Sequence, residues 1–174
     1  MHTMSSMVQK NNMISRKLIL KIMGTLLFII YSFILIYFLF FSEEMGRVAS
    51  RDYNINLIPF KEIKRFIIKR DVLGSRAVWI NIGGNIAAFI PFGLFAIPLA
   101  GFYIKLKSNL LERFIKVVIV TFNISLIIEV VQLIFGVGSF DVDDLILNTL
   151  GGIIGAGTYT LYSLAERKRT NGKA

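Results

Sequence analysis

Four long apolar blocks limit what this chain can fold into. They run at about Leu18–Phe41, Val78–Gly101, Phe114–Phe135 and Leu145–Leu164. Each approaches or exceeds the ~20 residues that a helix needs to cross a ~30 Å hydrocarbon layer. A soluble domain alternates apolar with polar positions, whereas this chain of 174 residues, 55% hydrophobic, gathers its apolar residues into blocks. No water satisfies the backbone inside a bilayer, so blocks of this length are read as helices. The expectation is an all-α, polytopic membrane protein. Four transmembrane helices occupy residues 18–164, between cytoplasmic tails at residues 1–17 and 165–174, with no internal repeat or second domain.

Composition removes several chemistries. There is no cysteine, hence no disulfide framework and no thiolate chemistry or thiolate metal site. The one histidine, His2, lies in a polar tail expected to be unstructured, which excludes histidine catalysis and a two-histidine metal site. The net charge of +9 does not point to nucleic acid, because Lys and Arg flank the apolar blocks, where anionic headgroups are the expected partner. The first block follows Lys10, Arg16 and Lys17 as a signal peptide would, yet it is too long and lacks a small-residue cleavage pattern. It is bulky (Phe28, Phe33, Phe38, Phe40, Phe41), without acid or amide, and reads as a lipid-facing anchor.

The longest connection, residues 42–77, contains NINLIPF followed by KEIKRFIIKRDVL. Pro59 suits a first helical turn. Beyond it Phe60, Ile63, Phe66 and Ile67 fall near one face and Lys61, Lys64, Arg65 and Lys69 elsewhere, the pattern of an amphipathic helix lying on the membrane surface. Asn56, beside this rigid apolar turn, is placed to close a pocket. In the second block Asn81 and Asn85 are four apart and are expected to share a face. Asn81 reads as interhelical glue, and Asn85 as either glue or a ligand contact. Gly83, Gly84 and Gly93 permit close helix approach, while Pro91 and Pro98 imply a kink and carbonyls that neighbours must satisfy.

The unusual residues gather between Glu129 and Gly152. Glu129 and Gln132 share a face of the third block. The pattern breaks at Gly136–Gly138, an acidic turn follows with Asp141, Asp143 and Asp144, and the fourth block begins at once, carrying Asn148. So short a turn makes the third and fourth helices antiparallel neighbours. Gly151 with Gly155, and Gly152 with Ala156, form small-xxx-small pairs that admit a close partner. Asp141 or Asp143 can cap the fourth helix, but one acid suffices for that. Glu129, inside the bilayer, is expected to be neutral and to donate to Gln132 or Asn148. A hard divalent cation held by Glu129 and Asp144 is a weaker alternative.

Both termini of a four-span chain share a side. With them inside, the inner face receives twelve Lys and Arg and the outer face eight, all in the first connection, which favours cytoplasmic termini. Whichever way the chain is inserted, the start of span two, the end of span three, the start of span four and NLIPF lie toward one surface. Amides and carboxylates thus converge on one leaflet half.

Taken in order, NLIPF, GNIAAFIPFG (Gly84–Gly93), EVVQ (Glu129–Gln132) and FDVDDLILNTLGGIIG (Phe140–Gly155) resemble the VanZ-like family, from the first span to the last. The resemblance implies a multi-pass protein of the bacterial plasma membrane. Its founding members sit with glycopeptide-resistance genes and lower susceptibility to teicoplanin-type antibiotics without remaking the peptidoglycan stem. The family's recurrent residues fall on Asn56, Pro59, Asn85, Pro91, Glu129, Gln132, Asp141, Asp143, Asp144, Asn148 and Gly151. Many relatives carry an Arg just before the first Asp of the acidic turn. Here Val137, Gly138, Ser139 and Phe140 stand there, so a cation for anion recognition must come from elsewhere, such as Arg47, Arg51 or Arg76.

The expected binding set is Asn56, Pro59, Asn81, Asn85, Glu129, Gln132, Asp141, Asp143, Asp144 and Asn148, with no metal and no cofactor. The expected partner is a membrane lipid or a lipid-linked cell-wall intermediate of the outer leaflet. An enzyme on a lipid phosphate or glycan, using a Glu/Asp metal or acid–base site, is the alternative. A small lipid transporter or scramblase ranks last, because few polar groups lie in the cytoplasmic half.

Overall fold

A computed structural model describes residues 2–41, 55–103 and 109–172, so Arg47, Arg51, Lys105 and Lys107 lie outside the described residues. The elements in order are α1 (His2–Phe41), β1 (Ile55–Asn56), α2 (Lys61–Ile68), α3 (Arg70–Leu73), α4 (Ser75–Val78), a π turn (Trp79–Gly83), α5 (Gly84–Tyr103), α6 (Leu110–Phe135), β2 (Phe140–Asp141) and α7 (Val142–Asn171). The chain is mostly helical, as expected, but two features depart from the sequence reading. The tail expected to be unstructured is helical from His2, because residues 2–17 contain no Gly or Pro to interrupt α1. A two-residue parallel ladder also joins Ile55 to Phe140 and Asn56 to Asp141.

Among the described residues, three helical stretches are long and apolar enough to cross a membrane: Leu18–Phe41, Ser75–Gly101 and Leu110–Phe135. The fourth expected span lies within α7, a single helix of 30 residues, but its apolar stretch is diluted by four glycines and by threonines. That dilution has a packing cause, since α7 lies against both α5 and α6 and much of its surroundings is protein.

The molecule is turned inside out relative to a soluble one. Asn85, Thr121, Ser125, Glu129, Gln132, Asp143 and Asn148 are buried, while Leu20, Phe33, Ile119, Ile134 and many other large apolar side chains are exposed. Water reverses that distribution; hydrocarbon favours it, because polar groups then find partners only inside. With its apolar helices, this is the distribution of a membrane protein.

Close approach holds the helices together. A Cβ at Gly151 would stand 2.1 Å from the Ile86 carbonyl oxygen, and one at Gly155 would stand 2.0 Å from that of Ile90. Glycine therefore lets α7 touch the backbone of α5, as the small-residue spacing predicts. Ile97, Val117 and Ala156, one from each of α5, α6 and α7, form the buried apolar cluster beyond it. Gly136, in the left-handed conformation, ends α6 and turns the chain back into the α6–α7 hairpin. α1 is more than a greasy anchor, since Tyr31 donates its hydroxyl to the Ala88 carbonyl at 2.6 Å, in the turn that Pro91 disturbs.

The backbone at Ile86 cannot swing aside as a side chain would. Gly151→Ala is therefore expected to destabilise the fold by about 1–3 kcal/mol. Gly24→Ala, with nothing within 4 Å of the new methyl, is expected to leave stability unchanged or slightly higher. Thermal unfolding in one detergent checks both.

Candidate functional site

The acidic turn at the start of α7 builds the site, and each of its three carboxylates holds a different segment. Asp141 is the N-cap residue of α7, with extended backbone, and its carboxylate accepts the Asp143 N–H at 2.8 Å. The same oxygen accepts Nδ2 of Asn56 at 2.9 Å, which ties β1 to β2 by side chain as well as by ladder. The backbone N–H of Asp141 donates to Oε2 of Glu129 at 3.0 Å and so joins the turn to α6.

Asp143 faces the other way. Its carboxylate accepts the backbone N–H groups of Phe60, Glu62 (2.8 Å) and Ile63 (3.1 Å), which belong to the first turn of α2. It caps α2 from another helix, where the orphan N–H groups and the helix dipole both favour an anion. The chain reaches this geometry through a turn from Ile58 to Lys61. Pro59 occupies its second position and Phe60 its third, with φ 64° and ψ 8°. This is the type II pattern, whose third position suits glycine, so Phe60 carries backbone strain that its bond to Asp143 helps offset. Pro59 thus shapes the turn before α2 rather than the helix's first turn, because Phe60 is left-handed and helical geometry begins only at Lys61.

Asp144 accepts Nδ2 of Asn85 and so connects α7 to α5. Asn85 is buried, but Asn81 does not join it. Asn81 lies in the π turn and donates to the Ala77 carbonyl of its own helix at 2.9 Å, where the backbone ladder changes register. The interhelical role expected of Asn81 is replaced by this local bond.

Below the turn, the buried polar groups continue along α6. Gln132 donates to the Leu39 carbonyl of α1 at 2.7 Å, and Asn148 of α7 donates to Oγ of Ser125 at 2.9 Å. Glu129 is expected from sequence to donate to one of these amides. In the structure it accepts from Asp141, and the amide oxygens of Gln132 and Asn148 receive no hydrogen bond. Ser125 and the Leu39 carbonyl are absent from the sequence-based set. Ser125 carried a signal, since Thr121, Ser125, Glu129 and Gln132 recur at spacings of four, four and three and form one buried stripe on α6. The role of Leu39 had none, because a backbone carbonyl leaves no mark in a sequence.

Among the described residues, three buried amide oxygens, on Asn85, Gln132 and Asn148, have no hydrogen-bond partner. For Asn85 and Gln132 this is not an accident of orientation. Reversing either amide would set oxygen against the Asp144 carboxylate or the Leu39 carbonyl. The interior therefore offers acceptors and calls for donors, because a buried polar atom left unpaired costs about 1–3 kcal/mol. Among the described residues, no three Asp, Glu or His side chains are grouped as a metal ion would require. Arg76 is exposed, on α4.

Residues 28–163 match the family described as VanZ/LLP1. The chain is also similar to Protein VanZ of Enterococcus faecium, with 30% identity over 144 residues, covering 81% of this chain and 76% of the relative. No solved structure matches it.

Asp143→Asn keeps one acceptor and turns an amide NH2 toward backbone donors. Hydrogen bonds to a charged group are worth about 1.5–3 kcal/mol, so the amides of Glu62 and Ile63 should exchange with deuterium at least about tenfold faster in this variant. Amides in the middle of α5 and α7 should exchange as before. Peptide-resolved exchange by mass spectrometry reads both.

Proposed function

The chain belongs to the VanZ-like family, and from that premise we propose that it is a non-catalytic protein of the bacterial cell envelope. It holds an outer-leaflet lipid, or a lipid-linked cell-wall component, at the polar end of α5, α6 and α7, and so alters susceptibility to teicoplanin-type glycopeptides. The observation that carries this reading is the surplus of buried acceptors: three unpartnered amide oxygens beside a cluster of carboxylates. Such a site is complementary to a ligand rich in O–H and N–H groups, as sugars and peptides are. Binding is favoured over catalysis because Asp141 and Asp143 are engaged in holding backbone and neighbouring side chains.

In this reading α7 is the fourth span. Its 30 residues reach ~45 Å, enough to cross, and its glycine-rich faces are covered by α5 and α6. Both termini are cytoplasmic and the polar site opens outward. The helix α2 lies on the outer surface, with Lys61, Lys64 and Arg65 exposed toward headgroups and Ile63 and Phe66 half-buried.

Asp144→Asn, Glu129→Gln and Asn148→Ala, present in the membrane at the level of the unmodified protein, are each expected to abolish its effect on teicoplanin susceptibility. Each should also weaken retention of copurifying lipid by about tenfold or more. Susceptibility assays and lipid mass spectrometry provide the readouts, and variants indistinguishable from the parent in both would overturn the reading.

A further inference from the structure

A second site lies at the opposite end of the same helices. Between the last turns of α5 and the first turns of α6 runs an open apolar cavity of about 440 Å³. That is within the ~300–1,000 Å³ range of small-ligand sites. Ala96 and Ala100 form its wall on α5, Val117 and Val120 its wall on α6, and Arg113 and Lys116 stand at its rim. Arg113 and Glu129 are sixteen residues apart on one helix, or ~24 Å along its axis, so this groove is separate from the polar site.

The groove stays open because its α5 wall is built from Ala96 and Ala100, whose side chains are too small to fill it. Its surroundings decide what fills it. Leu111, Ile115, Ile119 and Val120 are exposed on this part of α6, so the groove opens sideways onto the face turned to hydrocarbon. The guanidinium of Arg113 lies over Gly101, at the end of α5, because a Cβ there would stand 3.1 Å from it. Lys116 follows on the next turn of α6, exposed. Among the described residues, no carboxylate lines the groove. The acid nearest in sequence, Glu112, is held in a reciprocal cap with Asn109, at 2.8 and 3.0 Å. Two cations over an apolar trough at a helix end match a molecule with a phosphate above and an acyl chain below.

We propose that the α5–α6 groove binds one anionic glycerophospholipid, with an acyl chain along Ala96, Ala100 and Val120 and the phosphate between Arg113 and Lys116. The proposal does not depend on the reading of the polar site. An anionic lipid at this end contacts both α5 and α6 and bridges helices that otherwise meet mainly through α7.

The test is native mass spectrometry on the full chain in detergent, titrated with phosphatidylglycerol or with phosphatidylcholine of the same acyl chains. The first phosphatidylglycerol is expected to bind about tenfold more tightly than the first phosphatidylcholine. Arg113→Gln with Lys116→Gln should remove that preference. Val120→Trp, which fills the groove from its exposed side, should remove the first adduct of either lipid, and Ala100→Phe should do the same from the α5 wall. Asp144→Asn should leave the first phosphatidylglycerol adduct in place, which separates this site from the polar one. Thermal unfolding shows whether each variant is folded, and a groove variant that unfolds early is replaced by the other. Equal affinity for the two lipids, a first adduct that survives groove filling in folded protein, or a groove variant that instead converts a dimer to a monomer would each overturn the proposal.

Discussion

A carboxylate taken out of water must find donors, and the acidic turn at the start of α7 satisfies that demand by gathering the rest of the molecule around it. Asp143, almost fully buried, is surrounded by three backbone N–H groups of the first connection. Asp141 caps its own helix and holds Asn56, while its N–H reaches Glu129 on α6. Asp144 takes Asn85 on α5. Each bond answers a desolvation cost that solvent does not relieve here. The placement of β1, α2, α5 and α6 around the start of α7 is therefore tied to three residues, Asp141, Asp143 and Asp144. Three acids are needed because three separate segments must be held, which a single cap could not do.

The polar interior and the apolar exterior express the same constraint at a larger scale. Apolar burial drives little association between helices in hydrocarbon, so contact must come from close backbone approach and from hydrogen bonds. Glycines along α7 provide the first, against α5, and the stripe from Thr121 to Gln132 on α6 provides the second. The two devices divide the molecule lengthwise. The end with the acidic turn is polar and tightly connected. The other end keeps a small apolar cluster around Ile97, Val117 and Ala156 and a groove beside it with a cationic rim. The two ends therefore suit ligands of different chemistry.

Much of this architecture is legible in the sequence, and what is not has a common cause. Helix positions follow from apolar blocks, the α6–α7 hairpin from Gly136–Gly138, and the tight α5–α7 contact from the spacing of Gly151 and Gly155. Asn85, Glu129, Gln132 and Asn148 stand out because polar groups are costly inside apolar runs, and all four are buried. The partners of these groups do not stand out. Phe60 and Asp143 lie 83 residues apart, Leu39 and Gln132 lie 93 apart, and the bond in each case uses a backbone group that any residue supplies. Asn81 misleads for the opposite reason. Its spacing from Asn85 fits a shared helical face, but the π turn gives it a partner within its own helix. The tail of α1 is helical because nothing in residues 2–17 stops it, a weaker signal than polarity suggested.

The whole arrangement depends on NLIPF and its flanking strand being fastened to the acidic turn, and the absence of cysteine from the chain makes this directly measurable. Cysteines introduced at Ile55 and Phe140, paired in register in the parallel ladder, lie at a separation suited to a disulfide, ~4.4–6.8 Å between Cα atoms. In membranes treated with a mild oxidant, the Ile55→Cys, Phe140→Cys protein is predicted to form an intramolecular cross-link, whereas Ile55→Cys with Ile134→Cys is not. Failure of the first pair to cross-link, or equal cross-linking of both, would contradict the account.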